Sequence, residues 1–166
     1  GSIRHDDLYH MTYELFDTLE SILVEAIDAT VFFVPRDTAA SDQSGDGWTL
    51  SHVIVHLTAT CEEAAATAAM LARGVQVEGR LRYETPWQDL ATLQMVQARL
   101  QESRRICRAF LDVWPNEPHL DVTVMLNPLI GPMDAVGLYV FGIAHAQEHF
   151  DQLRDIVRQY TYSQVC

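Results

Sequence analysis

Four stretches of this chain repeat their apolar residues at helical spacing, and that periodicity leaves few folds open. From about Asp6 to Thr30 the repeat runs Leu8, Met11, Leu15, Leu19, Ile22, Leu23, Ala26, Ile27, with acidic residues on the opposite side. Phe32, Phe33 and Pro35 end it, and the Asp-, Ser-, Thr- and Gly-rich stretch Arg36–Gly47 reads as a loop. Thr49 is placed to cap a second helix that runs through His52, His56 and Leu57 to about Arg73, where Gly74 is a natural stop. Its second half is built from small residues (Ala64, Ala65, Ala66, Ala68, Ala69), which permit a neighbouring helix to come close.

Thr85-Pro86-Trp87-Gln88 carries the signature of a helix start, with a cap, a proline at the first helical position and a capping-box partner. A third helix then extends from Thr85 to about Val113, where Trp114-Pro115-Asn116-Glu117-Pro118 breaks it. Residues 119–132 form a long loop with room for a short strand around Val122–Val124. A fourth helix is expected from about Met133 to Tyr160. Gly137 and Gly142 inside it cost helix propensity, so each should serve close packing or make room beside a site. Four amphipathic helices predict an all-α four-helix bundle, and 166 residues suffice for one domain with a real core. Gly1-Ser2 reads as a tag-cleavage scar and is set aside. The connector Gly74–Tyr83 is long enough for a crossover, so up-down-up-down and up-down-down-up connectivity both stand.

Charge narrows the function classes. With 11 Lys and Arg against 23 Asp and Glu, the net charge is −12, and the few arginines are scattered. Nucleic acid and anionic membranes both need a basic face, so neither is an expected partner. The longest apolar runs stop well short of the roughly 18–20 residues that span a bilayer. Cys61, Cys107 and Cys166 are odd in number and show no CxxC spacing, which points to a reducing, cytoplasmic setting and inert thiols.

Within the fourth helix, His145 and His149 stand four residues apart and therefore on one face. Two imidazoles so placed can form half of a metal site, or can simply decorate a polar stripe. Helix 2 offers a further pair, His52 and His56. His56 interrupts an aliphatic run (Val53, Ile54, Val55, Leu57), and an unpartnered polar group there would cost roughly 1–3 kcal/mol. A metal shared by His56, His145 and His149 would satisfy all three. Three histidines leaving a coordination position open mark a reactive divalent site rather than a closed structural one. His52 lies one turn away, either beside the ligands or in a structural role. Glu148, rotated about 100° from His149, faces solvent or a neighbouring helix, or orients an imidazole. His5, His10 and His119 read as solvated and Trp48 as a plug at the helix entrance.

These residues resemble a known family, the DinB-like (DinB/YfiT-like) four-helix metalloproteins. The resemblance rests on Trp48-Thr49 opening helix 2, followed eight residues later by His56-Leu57, and on His145-Ala146-Gln147-Glu148-His149 late in helix 4. It implies an up-down-down-up bundle spanning residues 1–166, a metal triad falling on His56, His145 and His149, and zinc, nickel or iron as the ion. It also implies a homodimer and a small-molecule substrate, with a low-molecular-weight thiol as one cosubstrate, since members include thiol-dependent transferases.

Two reaction types fit an open three-histidine site: hydrolysis, and transfer of a thiol to an electrophile. With no Ser-His-Asp order, no phosphate loop and no cysteine near the triad, the nucleophile is expected to be water or a cosubstrate, and the loop from Asp121 to Gly131 the substrate wall. The competing readings are a non-catalytic metal- or ligand-binding bundle, acting as a sensor or accessory protein, and a bundle whose histidines are satisfied by hydrogen bonds alone.

Overall fold

The second helix forms where local signals and burial agree. In the computed structural model, which describes residues 2–37 and 45–165, α3 spans Leu50–Ala72. The Thr49 hydroxyl accepts the first-turn amide of His52 at 3.3 Å, and Gly74 closes the far end at φ +82°, with the Val75 amide reaching back to the Met70 carbonyl. Val53, Ile54, Val55 and Leu57 are all fully buried, because α3 lies between two other long helices.

The other three helices are cut differently from their periodicity. The first, α1 (His5–Ile22), stops eight residues early, and a single turn, α2 (Asp28–Val31), follows it. Leu23 and Ala26 are buried while Val24 is 78% exposed, so apolar residues past Ile22 still reach the core although the helix has ended. The Ile27 amide instead bonds the Thr30 hydroxyl, and Asp28 accepts the Leu93 amide at 2.9 Å, which fixes the new turn. The third helix, α4 (Leu93–Asp112), starts with Thr92 as its cap, not Thr85. Pro86 opens only a 3-10 turn, Trp87–Asp89, whose indole packs against His52 and Phe32. The fourth helix is two: α5 (Ala135–Gln147), capped by Asp134, and α6 (Phe150–Ser163). Between them the His149 amide bonds Ala146 rather than residue 145, a local tightening with no proline or glycine behind it. The short strand is a single bridge, Val124 to Met133. Of the loop Arg36–Gly47, residues 38–44 lie outside the described residues, as do Gly1 of the expected scar and Cys166.

Cross-links fix the connectivity. Tyr9 donates to Asp112 while Arg104 pairs with Asp17, so α1 and α4 are antiparallel. Trp87 meets His52 near one end of α3, and the His119 amide meets the Ala72 carbonyl at the other, so α3 and α4 run parallel. Cys61 lies against Gly142 and His56 against His149, making α3 and α5 antiparallel. Thr12 shares a 2.7 Å hydroxyl contact with Tyr139, and Ile22 and Val157 wall one cleft, so α1 runs with α5 and α6. The bundle is all-α and up-down-down-up. Residues 73–92 make the crossover, and they run back along α3: Arg80 binds Glu63, Arg82 binds Thr60, and Trp87 meets His52. Among the described residues no helix is long and apolar enough to cross a membrane.

Gly142 accounts for the closeness of α3 and α5. A Cβ there would stand 2.5 Å from the Ala64 methyl, closer than any real contact, whereas one at Gly137 would meet nothing nearer than 3.4 Å. Alanine gains roughly 1 kcal/mol over glycine in a helix, but overpacking costs roughly 1–3 kcal/mol. Gly142→Ala is therefore expected to lower stability by up to about 2 kcal/mol, and Ala64→Gly in the same chain to recover part of it. Gly137→Ala should be neutral or stabilising. Urea-unfolding midpoints test the pair; a Gly142→Ala protein as stable as Gly137→Ala would contradict the close approach.

Candidate metal centre

The closeness of α3 and α5 brings histidines from both into one cluster. His56 lies two turns above Ala64 on α3, and His145 and His149 lie one and two turns beyond Gly142. The ring centroids are 5.7 Å apart for His56 and His145, 5.3 Å for His56 and His149, and 5.2 Å for His145 and His149. One nitrogen from each ring lies within 4.8 Å of the other two, a spacing that could hold a metal ion. Among the described residues no further His, Cys, Asp or Glu joins this group.

Each ring has a polar neighbour at its Nδ1. His149 Nδ1 is 2.8 Å from the Gln152 side-chain carbonyl, one turn on. A carbonyl only accepts, so Nδ1 carries the proton and the lone pair sits on Nε2. That Nε2 is buried and has no hydrogen-bond partner. A buried acceptor left bare is costly and uncommon in a folded protein, and a cation is the partner it fits. His145 Nδ1 lies 3.4 Å from Glu148, an exposed carboxylate that steadies the ring from the solvent side. His56 Nδ1 faces the Arg82 guanidinium at 3.3 Å, with Glu84 at 3.9 Å. Arg82 in turn donates to Thr60, Glu84 and the His56 carbonyl, which pins the crossover beside α3.

His52 is not part of the cluster. Its ring lies flat between two indoles, 4.1 Å from Trp48 and 5.4 Å from Trp87. Trp48 also meets His56 edge to face at 5.1 Å, so it links His52 to the cluster. Trp48 is itself 40% exposed, a wall of the site rather than a buried plug. His5, read as solvated, stacks on Trp114 at 5.0 Å and bonds the Leu111 carbonyl, far from the cluster. Cys61 and Cys107 are free and buried as expected, and burial pushes the Cys61 thiol up to about 12. Gln152 was legible as the residue three on from His149. Arg82 and Glu84 carry no such signal, because their place depends on how the crossover lies along α3.

Burial and nearby charge keep His56 and His145 neutral. Burial, then Arg82, then His149 push His56 down to about 4 from its ordinary 6.5. Burial and His149 also lower His145. Neutral imidazoles are the form that binds metal, and three nitrogen donors favour zinc, nickel or iron over magnesium or calcium. Because the folded value of His56 is depressed, the unfolded chain takes up a proton between pH 6.5 and about 4 that the folded chain refuses. The stability of chelator-treated protein should be full above that window and fall as the pH drops through it. His56→Gln should flatten the profile, read from urea midpoints between pH 7.5 and 5; an unchanged slope would remove His56 as its source.

No curated protein and no solved structure is significantly similar to the chain. The family model described as the DinB superfamily matches residues 8–153, a span that opens in α1 and closes in α6 beyond all three histidines. On fold and match together, the chain belongs to the DinB superfamily.

Proposed function

We propose that this protein binds one divalent metal ion through His56, His145 and His149 and is a metal-dependent enzyme of thiol-transferase or hydrolase type. The bare, buried Nε2 of His149 carries the reading. When bound, an ion held by three neutral imidazoles supplies positive charge that acidifies a water or thiol at its open position. The chain's own groups bind and orient. Gln152 and Glu148 fix two rings, and Arg82 and Glu84 fix the third. For Nε2 of His56 to serve as a ligand, its proton must sit on Nδ1. Arg82 cannot accept that proton and here donates to Nδ1 at 3.3 Å with Glu84 3.9 Å away, so ligation through Nε2 requires Glu84 to take the place of Arg82 at Nδ1.

A cleft of about 370 Å³ opens beside the cluster between His56, Thr60, Arg82, Glu84, Phe141 and His145, enough for a small molecule. With Cys61 and Cys107 buried and protonated, the nucleophile comes from outside, as water or a low-molecular-weight thiol. A homodimer in the cytoplasm belongs to the same reading; the free cysteines fit a reducing compartment.

Protein purified without added metal should carry close to one zinc, nickel or iron ion per chain by elemental analysis, and His149→Ala almost none. Equally little metal in both removes the site. Gln152→Ala should weaken metal affinity by roughly 10–100-fold, the range for losing a partner that orients a ligand. Thiols offered with electrophiles, and ester or amide substrates, should turn over only with the ion in place. Turnover that survives chelation would defeat the enzyme reading, and full metal content without turnover would leave a binding protein.

A further inference from the structure

A second, smaller space opens on the same side of the bundle. It has a volume of about 70 Å³ and lies between Ala64 of α3, Leu138 and Phe141 of α5, and Val124 and Leu126 of the loop before α5. Thr60, Arg80 and Phe141 line both this space and the cleft at the histidines, so the two adjoin. Phe141 stands between them, its ring nearly parallel to His145 at 6.4 Å. The walls are mainly apolar, and the paired Arg80 and Glu63 form the rim. Leu126 is 52% exposed, an apolar side chain left in water beside an apolar slot. Covering it would remove apolar surface from water, which is favourable.

We propose that this slot receives a short, unbranched aliphatic arm of a substrate whose polar end reaches the three histidines. The proposal rests on the metal reading above and adds the substrate class. Size selects the arm: a closed cavity of about 150 Å³ holds benzene, and this one has about half that volume. It takes a chain of two to four carbons and not a ring. The loop supplies the outer wall, so the arm also buries Leu126.

Straight-chain hydroxamates test this, because the hydroxamate head binds a metal with open positions and the tail length can be varied. Titrated into zinc-loaded protein by calorimetry, the series from acetohydroxamate to octanohydroxamate should gain about three- to fourfold in affinity per methylene, the usual worth of a buried CH2. The gain should stop once the slot is full. Leu126→Trp, on an exposed loop where the fold tolerates it, should fill the slot and abolish the gradient; Leu126→Ala should shallow it. If acetohydroxamate binds and longer tails bind no tighter, or if the gradient persists in Leu126→Trp, the slot is overturned and the metal reading stands. If the protein neither retains zinc nor binds any hydroxamate, both fall together.

Discussion

Ala64 and Gly142 set the separation of α3 and α5, and the rest of the functional end of the molecule depends on that distance. Side chains as short as histidine reach one another across a helix pair only if the backbones nearly touch. The glycine costs helix propensity, and the thiol of Cys61 donating to the Gly142 carbonyl shows how closely the chains run. What the close approach delivers is a cluster in which one ring comes from α3 and two from the opposing strand of the bundle, each already held by a neighbour. A site built this way loses little entropy when it binds, because the rings are oriented before a ligand arrives.

The cluster sits on a boundary between two kinds of surroundings. On its inner side α3 is aliphatic, and this makes charged imidazoles unfavourable. On its outer side the crossover brings two arginines and a glutamate, Arg80, Arg82 and Glu84, against α3, where Glu63 also stands. The arginines and glutamates balance in number, so this polar wall carries no net charge but supplies fixed donors and acceptors. Neutral nitrogen ligands inside and a compensated polar wall outside suit a divalent ion whose charge the protein itself leaves uncancelled.

Much of this was legible in the chain. The limits of α3 were readable because Thr49 and Gly74 act locally and the burial between them agrees. The three histidines were readable because two share a helical face and the third interrupts an aliphatic run. The errors have common physics. Leu23 and Ala26 stay buried after α1 has ended, so the apolar pattern outlasts the helix, and only the bonds of Thr30 and Asp28 reveal the break. Thr85-Pro86 is a sound local start signal overridden by the stacking of Trp87 on His52. The gap between α5 and α6 has no proline or glycine to announce it. His5 was misread because its stacking on Trp114 joins segments that sequence spacing cannot relate, and Trp48 because its ring turns to His52 and His56 and stays partly exposed.

The crossover has a consequence for how this molecule can change. Loops usually absorb insertions and deletions at little cost. Here residues 80, 82 and 87 engage α3 at 63, 60 and 52 in turn, so the connector is threaded along the helix like the teeth of a zip. One residue gained or lost between Arg80 and Trp87 would shift every later tooth, and one before Arg82 would also pull Arg82 from His56. Length variation in homologous chains should therefore be tolerated on either side of that interval and rare within it, making a stretch without regular structure as constrained in length as a helix.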